Sequence, residues 1–263
     1  MTDDLAAYLA LAERLADAAG AVALRYFRTR VAVDDKPDAS PVTIADREAE
    51  ATMRAMIERD FPAHGVIGEE HGRHNEGASY VWVLDPIDGT KSFITGRPMF
   101  GALIALCRDG RPILGVIECA ALGERWTGAA GQPTRHRNRG ATTEARTRSC
   151  AALDHAALYC TSPLMFAADN EFPLFERVRR AVKLPMYGGD CYAYGLVASG
   201  YADLVIEAGL KVYDWAAIVP VLEGAGGRIT DWTGQPLELA TAASRVVAAG
   251  DGRIHAEAVK LLS

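Results

Sequence analysis

The sequence predicts a layered α/β or α+β fold, and three observations predict it. A long amphipathic helix opens the chain. Short apolar segments bounded by turn residues follow it. The second half then alternates strand with helix. Elements of this mixture and length bury their apolar faces as sheets covered by helices. At 263 residues the chain can enclose a sizeable core as one large or two small domains. Hydrophobic residues make up 49% and charged residues 24%, an ordinary globular balance.

Leu5, Leu9, Ala12, Leu15, Ala16, Ala19, Val22, Ala23, Tyr26 and Phe27 recur three and four apart, which predicts the first helix. Val31 to Pro41 breaks that period with Asp34, Asp35, Lys36, Pro37 and Asp38 and reads as a charged loop. A second helix starts near Ala45-Asp46, with Ala49, Met53, Met56 and Ile57 on one face. Val66 to Glu70 reads as a short strand ending in two carboxylates, and His71 and His74 as a polar surface loop. Val81-Trp82-Val83-Leu84 is a buried strand. Phe100 to Cys107 and Ile113 to Glu118 form a hairpin at Asp109-Gly110, and Arg125 to Ala129 offers another. The one basic cluster, Thr134 to Arg139, reads as a hairpin tip rather than a nucleic-acid patch. The polar stretch Gly140 to Ser149 divides the chain into subdomains 1–145 and 146–263.

In the second half, strands are expected at Ala157–Thr161, Ala202–Glu207, Gly227–Asp231 and Ser244–Ala249. Helices are expected at Phe172–Val182, from Asp190 through Ser199, at Tyr213–Gly224 with Asp214 in its first turn, and at Ile254–Leu262.

The chemistry centres on Asp85-Pro86-Ile87-Asp88-Gly89-Thr90, where the buried strand ends. Pro86 fixes its own φ and biases Asp85 towards extended backbone. Gly89 permits a sharp turn, and Thr90 opens a short helix. Two carboxylates on a stiff turn suit a hard divalent cation. Amides at a helix start suit an anion. Together they point to a metal-assisted phosphate enzyme; an Asp-Gly turn between two strands is the plainer alternative.

That hexapeptide resembles the signature of the inositol monophosphatase family of Mg²⁺-dependent phosphatases. Val42 to Asp46, Ile67 to Glu70, and Tyr213 to Ala217 followed by Glu223 to Gly227 stand in the family's order. The resemblance runs nearly the length of the chain. It implies alternating layers of helices and sheets, with the site between two subdomains. It implies a small-molecule phosphate ester as substrate, a homodimer, and two to three Mg²⁺ per site. The first ion falls to Glu69, Asp85 and the Ile87 carbonyl, and the second to Asp85, Asp88 and Asp214. A looser third takes Glu69 and water. Asp46 and Thr90 orient the attacking water, with Glu69 in the same catalytic group, and the Gly89 and Thr90 amides hold the phosphate. Lys36 and Asp38 fall in the family's mobile loop. Neither Cys nor His stands at these positions, so direct attack by water is expected rather than a covalent phospho-enzyme.

Lys91 to Pro98, Thr161 to Phe166 and Asp190-Cys191-Tyr192-Ala193-Tyr194 look like the histidinol-phosphate phosphatase branch of that family. This implies L-histidinol phosphate as substrate, in histidine biosynthesis. Inositol-1-phosphate is the alternative within the family, and a non-catalytic phospholigand-binding module the alternative outside it. Asp190 and Glu207 would face the ammonium or imidazole of the substrate. Asp190 also fits a plain helix N-cap.

The net charge of −6 and pI near 5.6 argue against nucleic-acid and anionic-membrane partners. No apolar run approaches the ~20 residues of a bilayer span. Met1 to Asp4 lacks the layout of a secretory signal. Five scattered cysteines without a CxxC pair read as reduced thiols, which places the protein in the cytoplasm.

Overall fold

In a computed structural model, residues 4–35, 41–168, 170–241 and 243–263 are described. Lys36 and Asp38 lie outside them. The first half runs α1 (Leu5–Tyr26), β1 (Val33–Asp35), β2 (Pro41–Thr43), α2 (Ile44–Asp60), β3 (Gly65–Gly68), β4 (Gly72–His74), β5 (Tyr80–Asp88) and α3 (Thr90–Ile94). It continues with β6 (Gly101–Arg108), β7 (Arg111–Cys119), β8 (Glu124–Ala129), β9 (Arg135–Asn138) and β10 (Ala141–Glu144). Strands β3 to β10 form an eight-stranded sheet in the order β10-β9-β8-β7-β6-β5-β3-β4. It is antiparallel except that β3 runs parallel to β5.

The second half runs β11 (Ala157–Cys160), α4 (Glu171–Ala181), β12 (Leu184–Tyr187), α5 (Cys191–Ala198) and β13 (Leu204–Glu207). After these come α6 (Val212–Trp215), α7 (Ile218–Gly224), β14 (Arg228–Asp231), β15 (Val246–Ala249) and α8 (Gly252–Leu262). Its five strands form a mixed sheet, β12-β11-β13-β15-β14.

The cores show why the layers alternate. Leu11, Leu15, Ala19, Met53 and Ile57 of α1 and α2 pack on Trp82, Leu84, Ile104 and Val116 of the first sheet. The opposite face of that sheet, through Val83, Leu103, Ile117 and Trp126, meets Tyr194, Val197, Ile218 and Leu222 of α5 and α7. The same two helices meet Val205, Ile229 and Val246 of the second sheet. Phe175 and Val178 of α4 with Ile254 and Ala258 of α8 close its far face over Leu158 and Leu204. Each fully buried large side chain contributes roughly 1.5–3 kcal/mol.

Several elements depart from the expectation. The charged stretch after α1 contains a strand, because Val33 to Asp35 pairs antiparallel with Pro41 to Thr43. His74 belongs to edge strand β4, paired with Val66; all three β4 residues are exposed, so no alternation announced it. The basic cluster is strand β9, and the hairpin tip falls at Arg139-Gly140, both at positive φ. Its cations face acids of α1 and β7, Arg135 meeting Glu13 and Arg137 meeting Asp17 and Glu118. The single helix expected over 213–224 is two, α6 and α7. Pro220 has no N–H to give the Ala216 carbonyl, and the helix breaks there. Edge strand β12 was not anticipated; Leu184, Met186 and Tyr187 on it are exposed.

Candidate active site

Strand β5 is buried almost to its end, and its pairing with β6 slips between Asp85 and Asp88. Pro86, which can donate nothing to the ladder, sits in that slip. The Ile87 N–H turns back onto Asp85 Oδ1 at 3.0 Å. Gly89 then takes φ +84°, and α3 begins at Thr90. A side chain at Gly89 would be strained by its backbone, and its Cβ would stand 2.9 Å from Asp190 Cγ.

Helix α6 brings Asp214 to this turn from the other half of the chain. Carboxylate oxygens of Asp85, Asp88 and Asp214 lie within 4.8 Å of one another. Burial, joined by neighbouring acids, raises Asp85 and Asp88 well above the usual carboxylate range. Burial likewise pushes Asp214 up to about 7, against the pull of the Lys211 N–H, which donates to its Oδ2 at 2.6 Å. Three hard oxygens held this close, in a place that penalises their charges, fit a hard divalent cation. Asp88 has one more tie, to the Cys191 N–H at 2.5 Å.

Asp46 sits at the third position of α2. Its Oδ2 accepts from the Thr43 N–H at 2.8 Å and the Thr43 hydroxyl at 2.6 Å, in a capping box. Its Oδ1 stands 3.5 Å from the Thr90 hydroxyl, which also donates to the Ile87 carbonyl at 3.1 Å. Burial raises the Asp46 pKa. Glu69 follows β3 at the edge of the same space and adds its charge to Asp85 and Asp46.

Glu69, Asp88, Gly89, Thr90 and Asp214 line the acidic part of a cavity of about 810 Å³. Asp190, Thr161, Lys91, Arg97 and the apolar Leu164 and Met165 continue the lining, with Asp190 against the Gly89 turn. Asp190 does not cap α5. It sits at φ +46°, ψ −139°, and its Oδ2 accepts the Ser92 hydroxyl at 2.8 Å. Burial raises its pKa, while Ser92, Arg97 and Lys91 pull it back.

Glu207 is placed otherwise than expected. It is 4% exposed and stands behind the cavity wall rather than on it. Its oxygens accept from the Thr161 N–H at 3.0 Å, the Thr161 hydroxyl at 2.6 Å and the Tyr194 hydroxyl at 2.8 Å. Ser92, Thr161, Lys91 and Arg97 were not singled out individually by sequence reasoning, and no local signal marks them. The Thr43-x-x-Asp46 spacing did carry a capping-box signal.

A model of the inositol monophosphatase family matches residues 4–263. The chain is 51% identical over 267 residues to the bifunctional phosphatase IMPL2, chloroplastic, of Arabidopsis thaliana, spanning 98% of this chain and 76% of that protein. It is 36% identical over 236 residues to a histidinol-phosphatase of Chlorobaculum parvum, with 89% and 88% covered. The solved structure of an inositol monophosphatase from Zymomonas mobilis superposes with a TM-score of 0.88 at 45% identity, covering 99% of both chains.

Proposed function

This chain belongs to the inositol monophosphatase family of metal-dependent phosphomonoesterases, and we propose that it hydrolyses L-histidinol phosphate to L-histidinol and phosphate, in histidine biosynthesis. The observation that carries the choice of substrate is the Asp190 carboxylate, held by Ser92 on the wall of the cavity that ends in Asp88 and Asp214. The likeness to a protein named histidinol-phosphatase supports it.

In this reading Asp85, Asp88 and Asp214 hold Mg²⁺, with Glu69 and the Ile87 carbonyl completing the donor set for two to three ions. Bound Mg²⁺ supplies Lewis-acid charge against the negative charge that grows on the phosphoryl and leaving oxygens. The Thr90 hydroxyl and the free oxygen of Asp46 orient the attacking water. Burial makes that Asp46 carboxylate a better proton acceptor. The Gly89 and Thr90 N–H groups hold phosphate oxygens. Asp190 meets the substrate ammonium: at about 4 Å and an effective dielectric near 20 the attraction is on the order of 4 kcal/mol before desolvation. A net gain of roughly 1–3 kcal/mol is reasonable for a charged hydrogen bond. Glu207 acts through Thr161 and Tyr194, shaping the wall without touching the substrate.

A second reading, inositol-1-phosphate as substrate, draws on the 45% identical solved inositol monophosphatase and on the relative named bifunctional. A non-catalytic binding module is disfavoured, because Asp46 and Thr90 serve turnover more than binding and both are present. Side-by-side kcat/KM for histidinol phosphate, inositol-1-phosphate and an adenosine bisphosphate, with and without Mg²⁺, decides among them. The proposal expects Mg²⁺-dependent turnover with histidinol phosphate preferred by about tenfold or more, from the charge pair above. Equal or reversed preference would overturn the substrate; absent turnover would leave the binding module.

A homodimer is proposed as well, supported by the exposed apolar edge strand β12. Its check is the sedimentation mass. A cytoplasmic site of action is supported by five unpaired thiols, although one relative is named chloroplastic. Among the described residues no helix is long and apolar enough to cross a membrane.

A further inference from the structure

Glu50 lies one helical turn beyond Asp46 on α2 and is fully buried. Neither of its oxygens is idle. Oε2 accepts the Glu70 N–H at 2.7 Å. Oε1 accepts the His71 N–H at 3.1 Å and Arg54 Nε at 2.7 Å. The carboxylate fills the place a side chain at residue 68 would need: a Cβ on Gly68 would fall 2.0 Å from Oε1 and 2.4 Å from Cδ. The Arg54 guanidinium continues to the Gly72 carbonyl. His71 Nε2 stands 3.0 Å from the Arg47 carbonyl, which can only accept, so that nitrogen carries the proton.

The turn from Glu69 to Gly72 therefore hangs on α2 at Arg47, Glu50 and Arg54. Glu69 is the member of that turn that reaches the cavity. The same helix holds Asp46 in its first turn. An apolar residue here would leave Arg54 and the N–H groups of Glu70 and His71 without their acceptor, so the carboxylate is what ties this turn to the helix. We propose that Glu50 is a positioning residue: it sets the place of Glu69 relative to Asp46, and through Glu69 it sets the affinity of the site for Mg²⁺. The proposal rests on the reading of Glu69 as a Mg²⁺ ligand.

Calorimetric titration of the full-length protein with MgCl₂ tests it, beside kcat and KM at saturating Mg²⁺. Glu50→Gln keeps the shape but turns an amide NH₂ towards a backbone N–H or Arg54. Its Mg²⁺ dissociation constant is expected to rise by about tenfold or more, the usual consequence of disturbing a group that orients a ligand. KM at saturating Mg²⁺ should stay within about twofold, since Glu50 does not line the cavity. Arg54→Gln, at the partly exposed end of the brace, serves if Glu50→Gln does not fold, with an expected rise of about threefold. Glu69→Gln is the comparator. If Glu69→Gln weakens Mg²⁺ binding while the folded brace variant keeps its wild-type constant, the positioning role is overturned and the ligand reading stands. If Glu69→Gln leaves Mg²⁺ binding unchanged, the ligand reading has failed, and the positioning role with it.

Discussion

The acidic end of the cavity and the rest of its lining are built differently. The acidic end centres on one local turn, since Asp85, Asp88, Gly89 and Thr90 take their places from Pro86 and Gly89, and Asp46, Glu69 and Asp214 join it from elsewhere in the chain. The rest of the lining depends on contacts between segments remote in the chain. Ser92 reaches Asp190 across 98 positions, and Thr161 reaches Glu207 across 46. A local turn can be read from residue types, because backbone limits act between neighbours. A wall made by topology cannot. In this account the turn and the acids that join it carry the chemistry, and Asp190 with its partners carries the choice of substrate.

The largest expected effect is at the acidic end. Asp88→Asn keeps the size and removes one of the three clustered charges, and kcat should fall by about a hundredfold or more, as lost transition-state charge stabilisation does. Near-normal turnover at saturating Mg²⁺ would break the division between the acidic end and the rest of the lining. Thr90→Ala comes next: kcat should drop far more than KM rises, because orienting water matters mainly in the transition state. A change in KM alone would move Thr90 from chemistry to binding.

Beside that turn, Ser92→Ala removes the donor that steadies Asp190. KM for histidinol phosphate should rise roughly threefold, with kcat nearly unchanged, in line with the loss of one hydrogen bond. An equal fall in kcat would mean that Ser92 supports the acidic end instead. The smallest effect lies outside both parts. His255, buried against Thr230, has its pKa pushed down to about 4 from an ordinary 6.5. The unfolded chain therefore binds the proton first. Stability from this group is present above pH 6.5 and is lost as pH falls towards 4. His255→Gln should flatten the decline of Tm over that window by a few degrees; parallel curves would show that other groups govern it.

How far the sequence could be read follows the same division. The long helix was legible because its buried face recurs with a regular period, and the β6–β7 hairpin and the strands at 81–84 and 204–207 because they are apolar runs bounded by turn residues. Strands β4, β9, β10 and β12 were not, since they lie at or near sheet edges and bury little. The break between α6 and α7 was legible in principle, from Pro220. Asp190 shows the limit most clearly. After two glycines and before a helix it had the look of an N-cap, yet the carboxylate that receives the first N–H of α5 is Asp88, from the end of β5. Nothing near residue 190 announces that partner. The carboxylate of Glu207 was readable as an acid beside the site, but not its engagement by Thr161 and Tyr194.

The most direct measurement is kcat/KM of Asp190→Asn on two substrates, L-histidinol phosphate and glycerol phosphate, with Tm taken alongside. Since Asp190 makes no cap, Asn should leave Tm within a few degrees of wild type. The account predicts a loss of about tenfold or more on histidinol phosphate, the value of one charged hydrogen bond, and almost none on glycerol phosphate. Equal losses on both substrates, or no loss on either, would contradict it.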